Sequence, residues 1–103
     1  MKITIGKVVL KDDDLVVEVS DGKTIHINTK SLGNKQYGIG EEVQGVIIDE
    51  QFNVCREYNN GKKVMFGFIS EDELHDDNIR ITLIDKGVVG DSVSIQRSLV
   101  NNY

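Results

Sequence analysis

Apolar and polar residues alternate with a period of two over most of this chain. Leu15, Val17 and Val19 alternate with Val16, Glu18 and Ser20, and after Asp21-Gly22 the residues Ile25 and Ile27 alternate with Thr24, His26 and Asn28. Two such runs around an Asp-Gly pair predict a hairpin, because Asp and Gly tolerate the positive φ of a tight turn. The pattern returns in Phe52, Val54, Arg56 and Tyr58, then Asn60-Gly61, then Val64, Phe66 and Phe68. Ile79-Ile81-Leu83, Val93-Ile95, Ile3-Ile5, Val8-Val9 and Val46-Ile47-Ile48 bring the expected total to about eight strands. The fold predicted is all-β: a small antiparallel barrel or sandwich.

Proline is absent, which suits unbroken ladders. Gly6, Gly45 and Gly67 fall inside strand runs, where a glycine marks a bulge or the bend of a small closed barrel. One helical turn is expected after Ser70. Ser70-Glu71-Asp72-Glu73 has the capping-box pattern, Ile69 and Leu74 stand in the staple positions, and His75-Asp76-Asp77-Asn78 offers nothing apolar to prolong it. A second short turn is expected between Ser31 and Tyr37.

The chain also resembles itself. Shifted by 39 residues, Gly6-Lys7-Val8-Val9 falls on Gly45-Val46-Ile47-Ile48, and Asp21-Gly22-Lys23 falls on Asn60-Gly61-Lys62. This reads as a single domain over 1–103 with an internal repeat, 6–44 and 45–97, whose halves share a core. The other reading is that any two hairpins share this punctuation. On either reading, Gly22 and Gly61 are expected at positive φ in two equivalent turns.

Gly40-Glu41-Glu42-Val43-Gln44-Gly45-Val46-Ile47, then Gly67-Phe68-Ile69-Ser70 with Glu73-Leu74, then Gly90-Asp91-Ser92-Val93-Ser94-Ile95 resembles the oligonucleotide-binding barrels repeated in a bacterial small-subunit ribosomal protein. The resemblance covers Gly40 to Ile95 and implies a barrel that binds RNA. The chain departs from that family in two respects. Its aromatic candidates, Phe52, Tyr58, Phe66 and Phe68, alternate onto the face read as buried, and the run Glu71, Asp72, Glu73, Asp76 and Asp77 repels phosphate.

Composition narrows the function further. The 103 residues carry a net charge of −5 with 28% charged and 39% hydrophobic residues, an ordinary globular composition that is not built to hold phosphates over its whole surface. No apolar run approaches the ~20 residues of a membrane span, and the first residues lack the apolar stretch of a signal peptide, so a cytoplasmic protein without a membrane partner is expected. A single cysteine, Cys55, excludes an intramolecular disulfide framework and a cysteine-based zinc cluster. It is read as a half-exposed structural thiol, on the strand face opposite Phe52, Val54 and Tyr58.

Candidate chemistry is sparse. Asp12-Asp13-Asp14 lacks the alternating ligands, glycine bend and distal Glu of a calcium loop and reads as a solvated hairpin tip. His26 lies on the polar register of its strand. His75 has no nucleophile placed beside it by spacing, and no phosphate loop, dinucleotide fingerprint or metal spacing occurs, so neither catalysis nor a cofactor is expected.

The function expected is therefore a non-enzymatic interaction module for another protein, with a basic one favoured by the charge, of the inhibitor, immunity-type or phage accessory kind. Its contacts would be an exposed acidic rim of Glu71, Asp72, Asp76 and Asp77, with strand edges free to recruit a partner or a second copy. Two alternatives stand beside it. One is an RNA- or single-strand-binding barrel in which Arg56, Lys62, Lys63 and Arg80 form a local basic patch with an exposed aromatic. The other is a sensor holding a small ligand between the two halves.

Overall fold

A computed structural model describes residues 2–73 and 75–100 of the chain. The protein is all-β, with nine strands among these residues: β1 (Thr4–Lys11), β2 (Asp14–Glu18), β3 (Thr24–Ile27), β4 (Glu42–Ile48), β5 (Gln51–Val54), β6 (Arg56–Asn59), β7 (Val64–Asp72), β8 (Asn78–Asp85) and β9 (Val88–Gln96). The first five close into a barrel in the order β1-β2-β3-β5-β4, and the last four form a sheet in the order β6-β7-β8-β9. In the barrel β1 pairs with β4, while β3 and β5 run parallel, His26 beside Gln51 and Ile27 beside Phe52.

The alternation read from the sequence sets the barrel's inside. Val8, Val17, Ile27, Val43, Phe52 and Val54 fill it. A second cluster, including Tyr58, Met65, Ile69, Ile79, Ile81 and Ile95, occupies one face of the open sheet. The third joins the two parts: Val46 on the outside of β4 packs with Cys55, Phe68 and Ile84, flanked by Ile3 and Val89. Gly45 and Gly67 are sites of close approach, since a Cβ on either would run into the carbonyl of the neighbouring strand, at Asn53 and Thr82 respectively.

Phe52 to Tyr58 is not one strand. It divides at Cys55, whose N–H donates to the carbonyl of Gln44 at 2.9 Å before the chain leaves the barrel and pairs with β7. The boundary between sheets thus falls at Cys55, and Gly45, where the second repeat unit begins, lies within barrel strand β4. Gly22 (φ 78°) and Gly61 (φ 95°) both occupy positive-φ turn positions, in the β2–β3 and β6–β7 hairpins, as expected.

The helical turn expected after Ser70 does not form there. β7 continues to Asp72, and the Ser70 hydroxyl donates to the carbonyl of Arg80 at 3.3 Å. A register shift between Ile69 and Glu71 sets Glu71 beside Arg80 and Asp72 beside Ile79. Pairing with the apolar strand β8 outweighs a cap that would serve only one turn. What remains is a tight turn in which Asp76 N–H donates to the carbonyl of Glu73 at 3.0 Å. Leu74, the expected staple, lies outside the described residues. The helical turns that do form are 3-10 turns at Thr29–Leu32, slightly before the second expected position, and at Arg97–Leu99.

Candidate protein-docking surface

The register of β1, β2 and β3 fixes which side chains face outward from the barrel. Lys7, Glu18 and Thr24 lie in one cross-strand row, and Val9, Val16 and His26 in the next. The Lys11 Nζ reaches over to the Thr24 hydroxyl at 3.1 Å, and Val16 beneath is only 2% exposed although it faces out of the barrel. A lysine stem covers apolar surface while its head stays wet.

Two hairpin tips bound this face, and both are acidic. The β1–β2 turn is Asp12-Asp13 (φ 50° and 68°), and the β4–β5 turn is Asp49-Glu50 (φ 51° and 65°). Two-residue connections need left-handed residues to match the strand twist, and here carboxylates occupy positions that usually go to Asn and Gly. Hollows open on either side of Thr24 and His26. One, of about 170 Å³, is lined by Lys11, Asp12, Asp14 and Val16. The other, of about 560 Å³, runs past Val19, Ile25 and Ile47 to Glu50. His26 therefore sits between the two acidic tips. Asp12, Asp13, Asp14, Glu18, Asp21, Asp49 and Glu50 surround the face, against Lys7, Lys11 and Lys23, and all ten are exposed.

The sequence singled out Asp12-Asp13-Asp14 but missed Asp49-Glu50 and the convergence of the two. The available signal was the spacing: only two residues separate Ile48 from Gln51, which leaves room for nothing but a tight turn.

Of the four predicted rim residues, Glu71 and Asp72 lie on β7, each beside an arginine, and Asp76 and Asp77 lie in the turn that follows. Asp72 is ion-paired with Arg97, and Glu71 lies 3.8 Å from Arg80. Asp76 and Asp77 are exposed, and the Asp76 carboxylate accepts the Asn78 N–H at 3.0 Å.

The four cations of the alternative reading are not brought together. Arg56 is only 9% exposed; its guanidinium lies 5.2 Å from the centre of the Tyr58 ring and donates to the carbonyls of Ser31 (3.4 Å) and Leu32 (3.1 Å), joining the 3-10 turn to β6. Lys62 and Lys63 occupy the exposed β6–β7 tip, whereas Arg80 sits beside Glu71 near the other end of β7, about 20 Å along the strand. Phe52, Tyr58 and Phe68 are buried, and Tyr37 and Phe66 are half-buried.

Cys55 is 2% exposed rather than half-exposed, because the crossover between sheets covers both sides of it. Burial pushes its thiol up to about 12, and burial likewise pushes the Tyr58 hydroxyl up to about 12, against the opposing pull of Arg56. His26 and His75 are both exposed. Where the barrel meets the open sheet, Asn28, Asn53, Phe68, Ser70 and Thr82 line a cleft of about 330 Å³. No helix among the described residues is long and apolar enough to cross a membrane. No family model, curated protein or solved structure matches this chain.

Proposed function

We propose that this protein is a non-enzymatic binding module whose barrel docks on a basic surface of another protein. The observation that carries the reading is the pair of acidic hairpin tips, Asp12-Asp13 and Asp49-Glu50, set on either side of an exposed strand face with His26 at its centre. The strand order, with β3 parallel to β5 and a helical turn between β3 and β4, supports a kinship with oligonucleotide-binding barrels. Such barrels present ligands to the β2–β3 face and to these same two loops. Here that face offers carboxylates and, apart from the His26 imidazole, no aromatic ring among the described residues. Phosphate is repelled and a base would find only the His26 ring to stack on, so a cationic protein surface is the complementary partner. Asp76 and Asp77 add a second negative patch that steers the approach.

The test is affinity capture from lysate of the source cells with the wild type, an Asp12→Asn/Asp13→Asn/Glu50→Gln variant and an Asp76→Asn/Asp77→Asn variant. A basic protein should be retained by the wild type, lost by the first variant and retained with a slower on-rate by the second. Its association should weaken as salt rises. Equal capture by all three, or retention of RNA or single-stranded DNA with no protein, overturns the reading.

A further inference from the structure

The barrel has no free edge, and β6 is tied through Arg56 to the Thr29–Leu32 turn. Strand β9 differs: it pairs only with β8, and no other hydrogen bond among the described residues reaches its outer side. The register shows which of its groups are left over. Arg97 N–H donates to the carbonyl of Asp77 at 2.8 Å, so in the same ladder the pairs Ile79–Ile95 and Ile81–Val93 are the hydrogen-bonded ones. The intervening residues Ser92, Ser94 and Gln96 therefore point their N–H and C=O groups outward. A register shift between Thr82 and Ile84 ends the regular edge before Ser92. Ser92 to Gln96 carries no charge and no proline, and lacks the lysines that usually blunt an edge.

This edge is complementary to itself. Antiparallel pairing about a two-fold axis at Ser94 sets Ser94 opposite Ser94 of the partner copy and Ser92 opposite Gln96, using every outward group in about six backbone hydrogen bonds. The side chains agree with that register. Val93, half-buried here, falls opposite the partner's Ile95, extending the apolar face of the open sheet. A shift of two residues in either direction leaves outward groups unpaired.

We propose that β9 is a homodimerisation edge, joining two copies into one continuous sheet with Ser94 on the two-fold axis. The interface is small, so dissociation in the micromolar range is expected.

The pairing predicts a cross-link. Residues in a hydrogen-bonded antiparallel pair have Cα atoms about 5.5 Å apart, within reach of a disulfide. Cys55 is buried and offers no competing thiol. Under mild oxidant, Ser94→Cys should form a disulfide-linked dimer faster than a control Ser20→Cys in the exposed β2–β3 turn. Sedimentation over about 1 µM to 1 mM should show a monomer–dimer equilibrium for the wild type. Ser94→Pro should abolish it while preserving the circular dichroism spectrum, since the lost N–H is not used by β8. A monomer at every concentration, cross-linking of Ser94→Cys no faster than the control, or a dimer that survives Ser94→Pro overturns the proposal.

Discussion

The Ser31 hydroxyl accepts the backbone N–H of Val54 at 3.0 Å across a separation of 23 residues. The same hydroxyl donates to the carbonyl of Asn28 at 2.6 Å, and Ser31 is fully buried. One side chain thus ties the 3-10 turn to the last barrel strand, just before the chain leaves for the open sheet. Ser31→Ala strands a buried N–H where water does not reach it, at a cost of about 1–3 kcal/mol. Urea denaturation checks this, and Ser31→Thr should recover part of the loss if the extra methyl fits. A midpoint unchanged in Ser31→Ala means the Val54 amide finds another acceptor.

The acidic tips hold their conformation against local preference. Glu50 has φ 65°, a region costing a non-glycine residue about 1–2 kcal/mol. Glu50→Gly should therefore stabilise the fold by about 0.5–1 kcal/mol, a rise in melting temperature of several degrees. Gly61→Ala provides the opposite control. Nothing lies within 4 Å of an added Cβ there, so any loss, expected at about 1 kcal/mol, reports φ alone. Under the proposed function Glu50→Gly is more stable but binds the basic partner more slowly. A variant gaining both stability and on-rate places the docking face elsewhere.

The period-two pattern was enough to read the all-β class and the hairpins turning at Gly22 and Gly61, because side-chain alternation and turn chemistry are local properties. Sheet membership is not local. Phe52, Val54, Arg56 and Tyr58 keep one unbroken alternation through Cys55, yet the first two close a barrel and the last two start another sheet. Ser70 carries a sound cap motif, but its fate depends on β8, which only the folded chain brings alongside. The docking face was half legible: Asp12-Asp13-Asp14 is visible as a charge run, whereas its meeting with Asp49-Glu50 requires β3 and β5 to lie side by side. Arg56 was read as a surface cation because arginines usually are, and its burial against Tyr58 follows from the crossover.

Cys55 and Tyr58 set the alkaline limit of the fold. Both groups have raised values, to about 12, against 9.0 and 10.0 for the unburied thiol and phenol. Above pH 9 the unfolded chain releases these protons while the folded chain keeps them, so stability falls as pH rises. The contribution is complete below about pH 9 and is lost through pH 12. Stability measured by urea titration should be level from neutral pH to about 9 and then decline, with Cys55→Ala removing the earlier part of the decline. Thiol reagents should modify the native protein only at its opening rate, even at pH 9. Rapid labelling at neutral pH contradicts the burial.

Arg97 organises the connection between β7 and β8 from the far end of β9. Its guanidinium pairs with the Asp72 carboxylate and donates to the carbonyls of Glu73 and Asp76, each at 2.7 Å. Its own N–H holds the carbonyl of Asp77. A planar fork serves several acceptors at once, which a lysine ammonium does less well. Arg97→Lys should therefore keep part of the Asp72 pairing and lose the grip on the turn. Arg97→Ala should lose both, at about 1–2 kcal/mol, the lower part of the range for charged hydrogen bonds because the pair is partly exposed. Hydrogen exchange separates the two effects: the amides of Asp76 and Asn78 should exchange faster in both variants, while the β8 amides of Ile79 and Ile81 should change only as much as global stability does. In a double-mutant cycle with Asp72→Asn, a coupling near zero would show that Arg97 acts through the turn carbonyls alone, whereas a coupling of about 1 kcal/mol would assign part of its effect to the ion pair.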